Sequence, residues 1–148
     1  MEIKNLFDQP VKQEIIDRIN KLTPESKPLW GKMNVAQMLA HCQMPLGVAV
    51  GKHKLKSNIL LKLIGPFFKK QLYNDQPFKH DLPTDKSFKI ENPQPFESEK
   101  KYLLQMINDF SESGMSDQPH PFFGKLTKEQ WSRGTWKHLD HHLKQFGV

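Results

Sequence analysis

The chain has 148 residues, a formal net charge of +6, 36% hydrophobic residues and one cysteine, Cys42. Its length suits one domain over residues 1–148, with a core that needs no disulfide or structural metal to fold, and a single cysteine excludes an internal disulfide. The opening MEIKNLFDQP lacks the basic start and apolar run of a signal peptide, and no stretch reaches the roughly 18 unbroken apolar residues of a membrane span, so a cytoplasmic protein is expected.

Asp8 and Pro10 form a helix start, after which Val11, Ile15, Ile19 and Leu22 recur near the helical period until Thr23-Pro24 stops the pattern. The connector KLTPESKPLWGKM leads to Asn34, placed to cap a second helix by accepting from its free backbone N–H groups. Val35, Met38, Leu39, Cys42 and Leu46 are that helix's apolar positions, with Cys42 a small core residue. Pro45 has no N–H to give to the His41 carbonyl, which predicts a bend or a helix end beside His41.

Residues 52–70 hold Lys52, Lys54, Lys56, Lys62, Lys69 and Lys70 without any Asp or Glu, while the other 16 Lys and Arg balance the 16 acids elsewhere. The same segment carries Ile59, Leu60, Leu61, Leu63, Ile64, Phe67 and Phe68. The preferred reading is a helix that packs these on the core and solvates its lysines, with no nucleic-acid partner. The rival is a basic binding module facing an anionic membrane or nucleic acid. Residues 73 to 96 follow, with Pro77, Pro83, Pro93 and Pro95 among polar residues, and read as a long surface connection.

Phe96 precedes a third amphipathic pattern through Leu103, Met106, Ile107 and Phe110, which Ser111 and Gly114 end. TKEQ then opens a last helix with a capping box, the Thr127 hydroxyl taking the Gln130 N–H and the Gln130 amide reaching back. No alternating β-branched run and no Asn-Gly or Asp-Gly turn occurs, so the predicted class is all-α. Four long amphipathic helices with one long crossover, between the second and third core helices, suit a four-helix bundle.

On the last helix, 100° steps place Trp131, Ser132, Thr135, Trp136, Leu139, His142, Leu143 and Phe146 in one arc with His138 at its edge beside Gln145. Gln130, Arg133, Lys137, Asp140, His141 and Lys144 fall on the opposite side, which is expected to face water. His138 and His142 stand one turn apart and can converge on one ion at about 2.0–2.1 Å. Seven randomly placed histidines would give about 0.3 pairs at this spacing, so it is the burial of two polar rings that argues for ligation. His41, on the edge of the second helix's apolar arc, is the candidate third ligand. Neutral imidazoles suit zinc, nickel, copper and iron, and the expected cofactor is a divalent metal, zinc or nickel foremost, with iron or manganese after them.

The segments NVAQMLAHCQMPL, HPFFGKLT and WKHLDHHLKQFGV resemble the DinB-like (DinB/YfiT-like) superfamily of metal-dependent enzymes, in a subfamily with the HPFFGKLT segment. In that superfamily a histidine midway along the second helix and an H-x-x-x-H pair on the last, followed three residues later by Gln, bind a divalent metal. The resemblance therefore implies a metal site at His41, His138 and His142 with Gln145 beside it, in a four-helix bundle that is often a homodimer. It also implies transfer of a low-molecular-weight thiol onto a small electrophile.

Three histidines leave an ion with its full charge and open positions, which permits either thiol transfer or hydrolysis. Hydrolysis lacks an assigned base, since Leu139 stands where a zincin motif has Glu, and His120 or a water held by Gln145 is the weak substitute. No catalytic residue is assigned. His120, in its turn-like HPFFG setting, and Trp131 are expected beside the site or in the pocket wall.

Overall fold

Pro10 sits in the first turn of α1 (Gln9–Asn20), where its missing N–H costs nothing because that group has no intrahelical acceptor. The computed structural model describes residues 2–54, 59–82 and 86–148; Lys56, Pro83 and the side chains of Ile59, Leu60, Leu61 and Lys62 lie outside what is described. Ile15 and Ile19 point from α1 into the core, as their spacing predicts.

Asn34 opens α2 (Val35–Ala49) by accepting from the Gln37 N–H at 2.8 Å, and the Gln37 side chain returns the bond to the Asn34 N–H at 3.0 Å. The helix does not end at Pro45 but continues four residues further. Leu46, Val48 and Ala49 are buried there, and their packing offsets the ladder bond that Pro45 cannot make.

α3 (Ile59–Phe68) follows, then a 3₁₀ turn over Lys69–Leu72. α4 (Phe96–Asp109) buries Phe96, Leu103 and Ile107. α5 (Lys128–Gln145) begins at the predicted box, with Thr127 Oγ1 accepting from Gln130 at 3.1 Å and Gln130 Oε1 from Thr127 at 3.0 Å. Among the described residues the regular structure is helical, with one isolated bridge between His120 and Gly124, and the class is all-α. No described helix is long and apolar enough to cross a membrane.

α2 packs against α4 and α5, and α1 closes the other side against the same two helices. One apolar cluster joins them, from Leu6 through Met38, Leu39, Leu103 and Ile107 to Leu139 and Phe146. Lys12 is buried within this frame because its ammonium donates to the Asn108 and Phe110 carbonyls, which the end of α4 leaves without partners.

Two expectations need correction. Among the described side chains of the basic helix the apolar ones do not pack on the core: Leu63 is 66% exposed and Phe67 86%, with Ile64 and Phe68 also exposed. Its backbone meets the body at Gly65, where a Cβ would stand 1.7 Å from the Phe122 carbonyl oxygen, an approach that only glycine permits.

The polar side of α5, expected to face water, does not do so throughout. Lys137 is 1% exposed and Asp140 3%. The Lys137 ammonium donates to the Gln71 carbonyl at 2.7 Å and to the Asn74 carbonyl and side chain at 3.0 and 2.8 Å, and lies 4.5 Å over the Phe78 ring. Asp140 accepts from Arg18 at 2.9 Å and from Lys144 at 2.8 Å. The start of the crossover therefore lies across α5, and residues 73 to 96 are more than a surface connection.

Candidate metal centre

The helical pitch sets His138 and His142 one turn apart on α5, and the packing of α2 on α5 brings His41 to face them. The three rings form a triangle with centroid separations of 4.9 Å (His41–His138), 4.8 Å (His41–His142) and 4.6 Å (His138–His142). One nitrogen from each lies within 4.8 Å of the others, so the three can hold a metal ion. Nε2 of His41 and Nε2 of His138 are 3.0 Å apart. Two nitrogens about 2.1 Å from one ion are separated by roughly 3.0 Å at a right angle and more at wider angles.

The fit to a cation rests on how the other ring nitrogens are held. His41 Nδ1 is 2.9 Å from the Phe88 carbonyl oxygen, which only accepts, so Nδ1 carries the proton and Nε2 presents a lone pair. Gln145 Nε2 donates to the Trp30 carbonyl at 2.7 Å, which turns Gln145 Oε1 toward His142. His142 Nδ1 donates to that oxygen at 2.8 Å, again leaving Nε2 bare. His138 Nδ1 is buried without a hydrogen-bond partner among the described residues. Holding the outer ring nitrogen in this way fixes tautomer and ring orientation in metal sites.

The electrostatics favour neutral rings. Burial holds His41 below the ordinary histidine value against the opposing pull of its Phe88 bond, and holds His138 well below it, with the other histidines adding to the effect. His142 falls to about 3, chiefly by burial and then by the nearness of His41, although the Gln145 bond acts the other way. Imidazoles that stay unprotonated are ready ligands. No Asp, Glu or Cys belongs to the cluster among the described residues. Cys42 is fully buried and burial raises its thiol pKa, so it is a core residue as predicted.

His141, between the two ligands in sequence, turns away from the triangle without reaching open solvent. Its ring packs edge-on to Trp30 and Phe78 at 5.8 Å each and against His142 at 5.1 Å. His80 stacks on Trp30 at 3.9 Å with planes 9° apart. Trp30, Phe78, His80 and His141 line a small cleft of about 80 Å³ next to the triangle.

His120 and Trp131 lie together, ring centroids 5.0 Å apart, and neither has a ring contact with the three histidines. Trp131 precedes His138 by two turns, about 10 Å along the axis. His120 Nδ1 accepts from the Phe122 and Phe123 N–H groups at 3.0 and 3.2 Å, and the His120 and Gly124 backbones bond to each other in both directions. Gly124 completes this turn at φ +71°. The histidine organises the HPFFG turn.

Sequence reasoning placed Gln145 beside the site and missed Phe88, Trp30 and His80. Phe88 acts through a main-chain carbonyl, for which no side-chain signature exists. The Trp30-Gly31 pair carried a signal: Gly31 has φ +79°, and a Cβ there would stand 2.5 Å from Gln145 Nε2, so this connector must press on the end of α5.

No curated protein and no solved structure gives a significant match to the chain. A family profile described as "Protein of unknown function (DUF1569)" matches residues 4–147, nearly the whole length, and the chain belongs to that family.

Proposed function

We propose that this is a metal-dependent enzyme of the DinB-like kind, a four-helix bundle in which His41, His138 and His142 hold a divalent cation, and that it transfers a low-molecular-weight thiol onto a small electrophile. The observation that carries the reading is the convergence of three neutral histidines from two helices, two of them with the outer nitrogen tied to a fixed acceptor. Zinc or nickel suits this all-imidazole donor set best, with iron next and manganese, which favours oxygen ligands, behind them. A bound cation would supply Lewis acidity, lowering the pKa of a thiol placed at its open positions.

The chain's own residues supply orientation and a wall. Gln145 fixes His142 and the Trp30 carbonyl in one stroke, so the connector before α2 is held over the site. Trp30, Phe78 and His141 then offer an aromatic surface on which an apolar electrophile can lie. Thiol transfer is favoured over hydrolysis because the carboxylate nearest this cleft is already committed: Asp140 is held by Arg18 and Lys144 and is not free to activate water.

The test is elemental analysis of untagged protein. Wild type and His141→Ala should each carry about one equivalent of metal, whereas His41→Ala, His138→Ala and His142→Ala should lose it. Full retention in the last three would defeat the site. Metal-loaded protein given a small thiol and an electrophile should yield the thioether adduct by mass spectrometry; a hydrolysed product without adduct would defeat the transfer.

A further inference from the structure

Seven large apolar side chains are exposed among the described residues, and four of them, Leu63, Ile64, Phe67 and Phe68, lie within six positions of α3. On 100° steps these four share an arc of about 140°, with Gly65 on the other side of the helix. Gly65 is buried against the Phe122 carbonyl, so the helix touches the body at its smallest residue while Leu63, Ile64, Phe67 and Phe68 face outward. A stripe of this kind on a lone water-facing helix has an unfavourable hydration free energy unless something covers it.

The charge around the stripe decides what that is. Lys52, Lys54 and Lys70 are exposed, and Lys69 donates to the Lys125 carbonyl, which draws a further exposed lysine alongside. Residues 52–70 contain no acid, and the chain's whole net charge of +6 resides in them. A second copy meeting this face would set two lysine clusters against each other. Nucleic acid would satisfy the lysines but leave Phe67 and Leu63 in water. An anionic lipid surface satisfies both, with acyl chains for the stripe and headgroup charge for the lysines.

We propose that α3 and its flanking lysines dock the protein on an anionic membrane surface, the helix lying in the interface plane with Leu63, Ile64, Phe67 and Phe68 inserted below the headgroups. Ten residues of helix are about 15 Å long, half the thickness of a hydrocarbon core, so the helix lies on the bilayer and does not cross it. This docking is independent of the metal site.

Co-sedimentation of the full chain with vesicles tests it. Binding is expected to vesicles of phosphatidylcholine with about one quarter phosphatidylserine, to weaken as salt rises, and to be absent with phosphatidylcholine alone. Leu63→Ser with Phe67→Ser should weaken binding at least roughly tenfold. Phe67→Leu should keep it, and His138→Ala should leave it unchanged. Because Leu63 and Phe67 are exposed, the serine variant should melt like wild type, and its circular dichroism checks that. The proposal is overturned if wild type stays in the supernatant with anionic vesicles, or if the serine variant binds them equally. It is also overturned if Phe67→Ser dissolves a dimer while no vesicle binding occurs, or if duplex DNA is held and vesicles are not.

Discussion

His120 shows how much one side chain can decide when its acceptor nitrogen is committed. Burial pushes its pKa down to about 4, and Nδ1 already takes two backbone N–H groups, so a proton there would face two donors. The folded value lies below the ordinary 6.5 of the unfolded chain, so between these limits the unfolded state binds more protons. The contribution is complete above pH 6.5 and is lost as pH falls toward about 4, so Tm should decline across that window. His120→Asn, whose side-chain oxygen can accept the same N–H groups, should melt near wild type at neutral pH with a shallower decline. His120→Ala should lose about 1–3 kcal/mol at every pH above the window. An unchanged slope in the Asn variant would show that His120 does not titrate on unfolding. At this scale much was legible in the sequence: the Thr127–Gln130 box and the division of His138 and His142 from His141 follow from spacing alone. The His120 bonds were not, because the turn that aims its ring depends on which N–H groups the chain leaves unpaired.

Periodicity tells which side of a helix is apolar, but not what its polar side meets. That limit explains both corrections among the elements. α3 has an apolar stripe like a core helix, yet Gly65 meets the body while Leu63, Ile64, Phe67 and Phe68 are exposed. α5 has a charged side like a solvated helix, yet the crossover covers it and Lys137 becomes a buried tie. Long-range placement of a connector is not encoded in a local period, whereas the start of α2 and α5 is encoded in a four-residue box. Lys137→Met retains an apolar stem but deletes three hydrogen bonds and the ammonium that lies over Phe78, leaving the Gln71 and Asn74 oxygens without that donor. A loss of about 1–3 kcal/mol in urea unfolding is expected, together with faster amide exchange in residues 71–80 than in α4. If exchange in the crossover is unchanged, the tie does not hold it.

The three histidines join parts of the molecule that are far apart in sequence: His41 from α2, His138 and His142 from α5, with Phe88 and Trp30 anchoring them from the two connectors. An ion bound among them would engage only the assembled molecule, because the unfolded chain does not bring α2 and α5 together. Binding to the folded state alone adds about 2.7 kcal/mol when free ligand is a hundred times Kd. For a chain of this size each kcal/mol moves Tm by roughly 2–4 °C, so saturating Zn²⁺ should raise Tm by about 5–10 °C. A chelator should reverse the rise. His41→Ala should start with a lower Tm and lose most of the response, since two neighbouring histidines on one helix no longer span two elements. His141→Ala should respond like wild type, because its ring lies outside the triangle against Trp30 and Phe78. A rise of equal size in His41→Ala would mean that the ion is held on α5 alone, and the link between the two helices would then be packing without ligation.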